Sequence, residues 1–258
     1  MKFNSKINPA VFQEVKTHLT QIEKEHNVVI LQAIESGSRA WGFPSPDSDY
    51  DVRFIYAHTK DWYLQLSEER DVIELPINDE LDIAGWDLRK ALNLANKGNA
   101  VIQEWMISPI VYQQSSLYAP LSTLISEAFN PTAVFHHYRA MAKKAYQDIE
   151  QSEQKKLKRF FYFARATLSA QWVVEKQTMP SIIFHDLLGN LVNDQQVKQE
   201  LDLLIQKKSK ESEKSNLNVP TIVYENIVSV YQSLSENTSF DKNITTIKSD
   251  DFRDLLNR

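Results

Sequence analysis

The stretch "SGSRAWGFPSPDSDYDV", residues 36–52, decides how the rest of the chain is read. The chain holds only five glycines, and two of them, Gly37 and Gly42, stand here five residues apart. Asp47, Asp49 and Asp51 then follow at alternate positions. The preceding "VVILQAI" is short, rich in β-branched residues and ends at Glu35-Ser36-Gly37, which is the pattern of a buried strand entering a tight turn. The "DYDVRFIYA" that follows alternates and is rich in Tyr, Val, Phe and Ile, so it predicts a second strand over residues 49–57. Residues two apart on a strand face the same side, which puts the Asp49 and Asp51 carboxylates next to each other. Two close carboxylates disfavour each other's ionisation unless a cation lies between them. A hard divalent ion bound through oxygen answers that need, Mg²⁺ first and Mn²⁺ as the alternative. Asp47 reads as a loop or capping residue.

The glycine turn fits the same chemistry. A strand that ends in Gly-Ser and runs into a short helix presents unpaired backbone N–H groups, a seat for phosphate oxygens. Gly37 lets the backbone approach closely, Ser38 adds a hydroxyl, and Arg39 adds a guanidinium for charge-assisted bonds. Phosphates beside metal-binding carboxylates describe a nucleoside triphosphate site. Two-metal phosphoryl transfer calls for a third acid from a neighbouring strand. Asp82 in "LDIAGW" suits that role, being a lone charge in an apolar strand 31 positions beyond Asp51. Asp87 is the competitor, but its place just ahead of "LRKALNLANK" suits a helix cap, with Gly98 closing that helix.

Working outward, "PAVFQEVKTHLTQIEKEHN" predicts an amphipathic helix started by Pro9, and "DVIELP" with "ELDIAGW" predicts a hairpin about the turn-like "INDE". From "NPTAVFHHYRAMAKKAYQDIE" onward the pattern is helical. The expected fold class is α+β: a mixed sheet flanked by helices over residues 1–115, then an all-helical region over 116–258. Phe160, Phe163, Ala164, Thr167, Leu168, Gln171 and Trp172 trace the stripe of a core helix, and Trp105 and Trp172 read as core. Residues 207–218, "KKSKESEKSNLN", read as a helix end and solvated loop. The absence of cysteine excludes disulfides, zinc–thiolate sites and thiol nucleophiles. The formal net charge of −5 does not advertise a nucleic-acid binder as a whole. The N-terminal residues lack an apolar signal region and no stretch is long and apolar enough to span a membrane, so the expectation is a cytoplasmic protein without a membrane partner.

"GSRAWG", "SDYDV" and the aspartate of "LDIAGW" resemble the G-S, D-x-D and third-carboxylate motifs of the nucleotidyltransferase fold in the DNA polymerase β superfamily. "WDLRKALNLANKGNAVIQEW" and "LKRFFYFARATLSAQW" extend the likeness to the bacterial and phage nucleotidyltransferases linked to RNA repair, over roughly residues 30–175. Ala100 stands where similar chains often carry proline, a departure at a helix start. The resemblance implies two Mg²⁺ ions held by Asp49, Asp51 and Asp82, and a triphosphate, ATP among the candidates, at Gly37-Ser38. The implied reaction is attack of an acceptor hydroxyl on the α-phosphate with release of pyrophosphate. An RNA end is the favoured acceptor, and a protein side chain, a small molecule or a turnover-free nucleotide-binding regulator are the alternatives.

Lys158, Tyr162 and Arg165 fall at i, i+4 and i+7 on one helix face and match that group's basic-aromatic helix, which reads as a nucleotide or acceptor contact or as a rim beside the apolar stripe. Residues 136–176 hold nine Lys/Arg against four Asp/Glu, a local excess that suits a nucleic-acid surface or pairing with the acidic N-terminal half. His136 and His137 point about 100° apart on a helix and read as structural. Trp41 reads as packing beneath the phosphate turn, with base stacking as the alternative.

Overall fold

The computed structural model describes residues 7–67, 69–76, 80–151, 156–212, 219–240 and 244–257. Along the chain run α1 (Pro9–His26), β1 (Val29–Glu35), α2 (Gly37–Trp41), β2 (Tyr50–Ala57), α3 (Lys60–Tyr63), β3 (Val72–Glu74), β4 (Leu81–Asp87), α4 (Leu88–Asn96), α5 (Ala100–Met106) and β5 (Val111–Gln114). After these come α6 (Tyr118–Glu127), α7 (Pro131–Glu150), α8 (Leu157–Lys176), α9 (Phe184–Leu191), α10 (Gln195–Lys208), α11 (Thr221–Ser233) and α12 (Ser249–Asn257). The expected class holds: a five-stranded mixed sheet flanked by helices, followed by a helical region. Two compact units form, one from Met1–Ala40, Asp49–Ala128 and Ile244–Arg258, the other from Trp41–Ser48 and Phe129–Asn243.

In the first unit the strand order is β3-β4-β2-β1-β5. β2 and β4 run parallel, and every other neighbouring pair is antiparallel. The even-numbered Val52, Phe54 and Tyr56 of β2 join Ile83 of β4 and Val15, Leu19 and Ile22 of α1 on one side of the sheet. The odd-numbered Ile55 and Ala57 join α4, α5, α6 and Leu255 of α12 on the other. Burying each of these aliphatic side chains stabilises the unit by about 2 kcal/mol relative to exposure. The β3–β4 hairpin pairs Val72, Ile73 and Glu74 with Trp86, Gly85 and Ala84. Residues 77–79 of its expected turn lie outside the described residues.

Helix ends follow local chemistry. Asn8 caps α1 through the Ala10 N–H at 2.9 Å, with Pro9 supplying a preset φ. Asp87 caps α4 as expected, accepting from Arg89 N at 2.8 Å and also from the Tyr63 hydroxyl at 2.6 Å. Burial raises the Asp87 carboxyl against these donors. α12 returns to the first unit: Asn96 donates to the Ile247 carbonyl at 2.9 Å and accepts its N–H at 2.8 Å, while Phe252 meets Tyr63 edge to face at 5.1 Å.

The second unit is built on α7 and α8. Twelve residues of α8 are buried, more than one face of a helix can supply, so α8 is a central helix rather than a surface amphipath. Trp172 departs from the core reading: it is half-buried and its ring N–H donates to Thr178 Oγ1 at 3.0 Å. Lys208 departs from the solvated reading of residues 207–218. It is 4% exposed and its Nζ donates to Ser45 Oγ at 2.7 Å. Residues 213–218 lie outside the described residues. Among the described residues no helix is long and apolar enough to cross a membrane.

Candidate functional site

β1 delivers Glu35 and the turn, β2 delivers Asp51 and Arg53, and β4 delivers Asp82, all at one end of the central strands. Asp51 pairs directly with Asp82 across the parallel ladder, so the two side chains stand on the same face, one strand spacing apart. Asp49, just before β2, has the same parity and is exposed. Gly37 follows β1 with φ +61°, a left-handed conformation that suits glycine. A Cβ placed there would come within 2.0 Å of Asp51 Oδ2. The glycine therefore makes room for a carboxylate as well as bending the chain. Ser38 is nearly buried at the start of α2. Arg39 holds the turn against the strand, its Nε donating to the Asp49 carbonyl at 3.1 Å and its guanidinium lying 3.7 Å from the Tyr50 ring centre.

Two residues that the sequence reading missed complete the arrangement. Arg53 Nη2 lies 2.6 Å from Asp82 Oδ2 and 3.6 Å from Asp51 Oδ1, while Nη1 donates to the carbonyls of Val52 and Asp82 at 2.9 and 2.8 Å. A cation thus already bridges the two registered aspartates. Its signal was available in the sequence, since Arg53 is two residues beyond Asp51 and shares its face. Glu35 is fully buried at the end of β1, where it accepts the Tyr112 hydroxyl at 2.6 Å and the Asp51 N–H at 3.0 Å. Burial pushes its carboxyl up to about 7, against the lowering effect of those two donors. Its signal was a lone acid closing an apolar strand.

The donor set is that of a hard divalent cation: carboxylate oxygens, no sulfur, no histidine. Among the described residues no group of three His, Cys, Asp or Glu side chains is placed to hold an ion as it stands. The fit rests on Asp51 and Asp82 converging on one positive charge, with exposed Asp49 beside them. An ion there requires Arg53 to yield its position.

Six of the expected residues, Gly37, Ser38, Arg39, Asp49, Asp51 and Asp82, thus gather in the first unit. Lys158, Tyr162 and Arg165 belong to the second. There Lys158 and Tyr162 line a groove of about 470 Å³ between α7 and α8, together with Met141, Lys144, Ala145, Asp148 and Arg159. Arg165 is not in that lining. It is 2% exposed, with its guanidinium 4.1 Å from the Trp41 ring centre and 5.9 Å from that of Tyr138. Trp41 is buried, as its packing reading expects, meeting Phe43 at 5.8 Å and Tyr162 edge to face at 5.2 Å within the helical unit.

Residues 11–256 match the RNA repair pathway DNA polymerase beta family, RlaP. The chain belongs to that family. By family, RlaP chains fall among the nucleotidyltransferases of the DNA polymerase β superfamily, in agreement with the likeness carried by the glycine turn and the D-x-D strand. A Bacillus subtilis (strain 168) relative, described as uncharacterized protein YcgL, is 45% identical over 202 residues, which cover 78% of each chain. A solved nucleotidyltransferase-like protein from Exiguobacterium sibiricum aligns over 85% of this chain and 75% of its own, at 12% identity and a TM-score of 0.36, a likeness too slight to carry an argument.

Proposed function

We propose that this RlaP-family chain transfers a nucleoside monophosphate from an NTP to an acceptor hydroxyl, with an RNA end as the acceptor and pyrophosphate as the leaving group. The observation that carries the reading is the direct register of Asp51 with Asp82 beside a left-handed glycine turn whose missing Cβ leaves room for the Asp51 carboxylate. Asp49, Asp51 and Asp82 would hold Mg²⁺, or Mn²⁺ in its place. A bound ion of that kind supplies Lewis-acid neutralisation of charge developing at the reacting phosphate. The Gly37-Ser38 backbone and the Ser38 hydroxyl bind the triphosphate, and Arg39 adds positive charge beside it. Asp82 takes the proton as the acceptor oxygen bonds to the α-phosphorus and the bond to the bridging oxygen of the β-phosphate breaks.

The test is incubation with Mg²⁺ and each α-labelled NTP, with and without short RNA, beside the Asp49→Ala/Asp51→Ala variant. Label on RNA that disappears in the variant supports the reading. Label on the protein or on a small molecule changes the acceptor, and absence of NTP binding removes the whole reading. A nucleotide-binding regulator without turnover is the second reading, and one observation favours it: Arg53 already neutralises Asp51 and Asp82. Carboxylate-dependent NTP binding with no transfer to any acceptor would select it.

A further inference from the structure

The helical region carries a local excess of cations, and the fold sorts them. Arg139 and Lys143 are drawn to Glu236, at 2.9 and 3.6 Å, with Arg139 Nε also on the Leu234 carbonyl. Arg165 is buried against Trp41 and Tyr138. Lys144, Lys158 and Arg159 line the groove of about 470 Å³ between α7 and α8. Met141, Lys144, Ala145 and Asp148 stand at i, i+3, i+4 and i+7, one ridge of α7, and Lys158, Arg159 and Tyr162 face them from α8. Arg159 is steadied by its Nη1 donating to the Asp148 carbonyl at 3.2 Å. The groove lining thus combines the apolar Met141 and Ala145 and the Tyr162 ring with three cations against one acid, Asp148.

That combination matches one ligand chemistry. A nucleotide unit offers a flat apolar base and a phosphate, and single strands bind where bases stack on aromatic faces while cations follow the backbone. A duplex keeps its bases stacked inside and cannot offer them to such a lining. We propose that the α7–α8 groove binds a single-stranded nucleic acid, with a base against Met141, Ala145 and Tyr162 and adjacent phosphates on Lys144, Lys158 and Arg159. The assignment of the strand as acceptor rests on the transferase reading above, but the binding itself does not.

The experiment is fluorescence anisotropy of the full chain with an end-labelled single-stranded RNA, in chelator, over a series of salt concentrations. Lys144→Gln and the Lys158→Gln/Arg159→Gln pair are expected to weaken binding, the pair at least tenfold. The pair should also reduce the slope of log K against log salt by about 1.4, two contacts at roughly 0.7 each. Tyr162→Leu should cost roughly 5- to 150-fold, as loss of one stacked base does, and Tyr162→Phe should retain affinity. Thermal unfolding of each variant separates a lost contact from a lost fold. Equal affinity for a duplex of the same length, unchanged affinity in the charge variants, or equal displacement by polyglutamate at matched charge each overturns the proposal, the last in favour of an acidic protein partner. Loss of binding of a fluorescent NTP without loss of RNA binding overturns it in favour of the free nucleotide. The Asp49→Asn/Asp51→Asn variant is expected to bind RNA like the wild type. If it does so without transferring label, the groove stands apart from the carboxylate site; if wild type transfers label but the groove variants bind RNA normally, only the groove proposal falls.

Discussion

Replacing Gly37 with alanine tests the carboxylate site at its tightest point. Two penalties follow from the geometry. The left-handed φ of +61° costs a non-glycine residue about 1–2 kcal/mol. The new Cβ would lie 2.0 Å from Asp51 Oδ2, whereas side chains keep at least 3.0 Å, so the carboxylate must retreat by about 1 Å. A misplacement of that size at a reacting centre costs on the order of 100-fold in rate. The expected result is a modest fall in unfolding temperature, about 2–8 °C, with transfer of labelled nucleotide reduced about 100-fold. Gly42→Ala is the control, because its φ is also positive, at +91°, but the nearest atom to its Cβ is Ile183 Cγ2 at 4.0 Å. It should show the backbone penalty without the loss of rate. Gly37→Ala activity within threefold of wild type, or equal losses in the two variants, would refute the claim that Gly37 makes room for Asp51.

Arg53→Met removes the cation between Asp51 and Asp82, so unfolding temperature should fall in chelator and recover with Mg²⁺ more steeply than in the wild type; identical Mg²⁺ titrations would argue against an ion at that place. Glu35 is held above its ordinary value in the folded state, at about 7, so the folded chain binds its proton more tightly than the unfolded one. In chelator its contribution is therefore full below about pH 4.5 and declines as pH rises to 7, by about 3 kcal/mol. Denaturant titrations of Glu35→Gln should be flatter over that window, and an unchanged slope would count against the buried acid. Asn96→Ala breaks both bonds to Ile247, and amide exchange should then accelerate across α12 by roughly tenfold, while the β1 and β2 amides keep wild-type protection.

Much of the sheet was legible because its cues are local. The alternation of "DYDVRFIYA", the turn after Glu35 and the cap at Asp87 depend on near neighbours, and each yields the observed element. Asp82 was legible as a lone charge in an apolar strand. Its register with Asp51 was not, since a parallel ladder joins residues 31 apart with no periodicity to announce them. Arg53 was passed over because a basic residue in an alternating strand looks like an ordinary solvent-facing one. β5, with four residues, offered too little pattern to read. On α8 the i, i+4, i+7 rule grouped Arg165 with Lys158 and Tyr162, but a helix buried on most sides has no single functional face, and Arg165 is sealed against Trp41. Lys208 misled for the converse reason: its segment's composition reads as solvated, yet partners distant in sequence, Ser45 and the Phe43 ring among them, hold the ammonium inside.

The passage of the chain through residues 41–48 has a consequence for synthesis. Phe43 stacks on Phe161 at 5.0 Å and meets Phe184 at 5.4 Å, and Ser45 accepts from Lys208. The octet lies between the glycine turn and the D-x-D strand, yet its sockets are translated more than a hundred residues later. A nascent chain can therefore assemble β1 and β2 on the ribosome while the segment joining them still lacks its anchors. α12, which clips onto the first unit, emerges later still. A chain released before Phe161 is made would therefore carry every residue of the carboxylate cluster while the octet between the glycine turn and the D-x-D strand still lacked its aromatic partners.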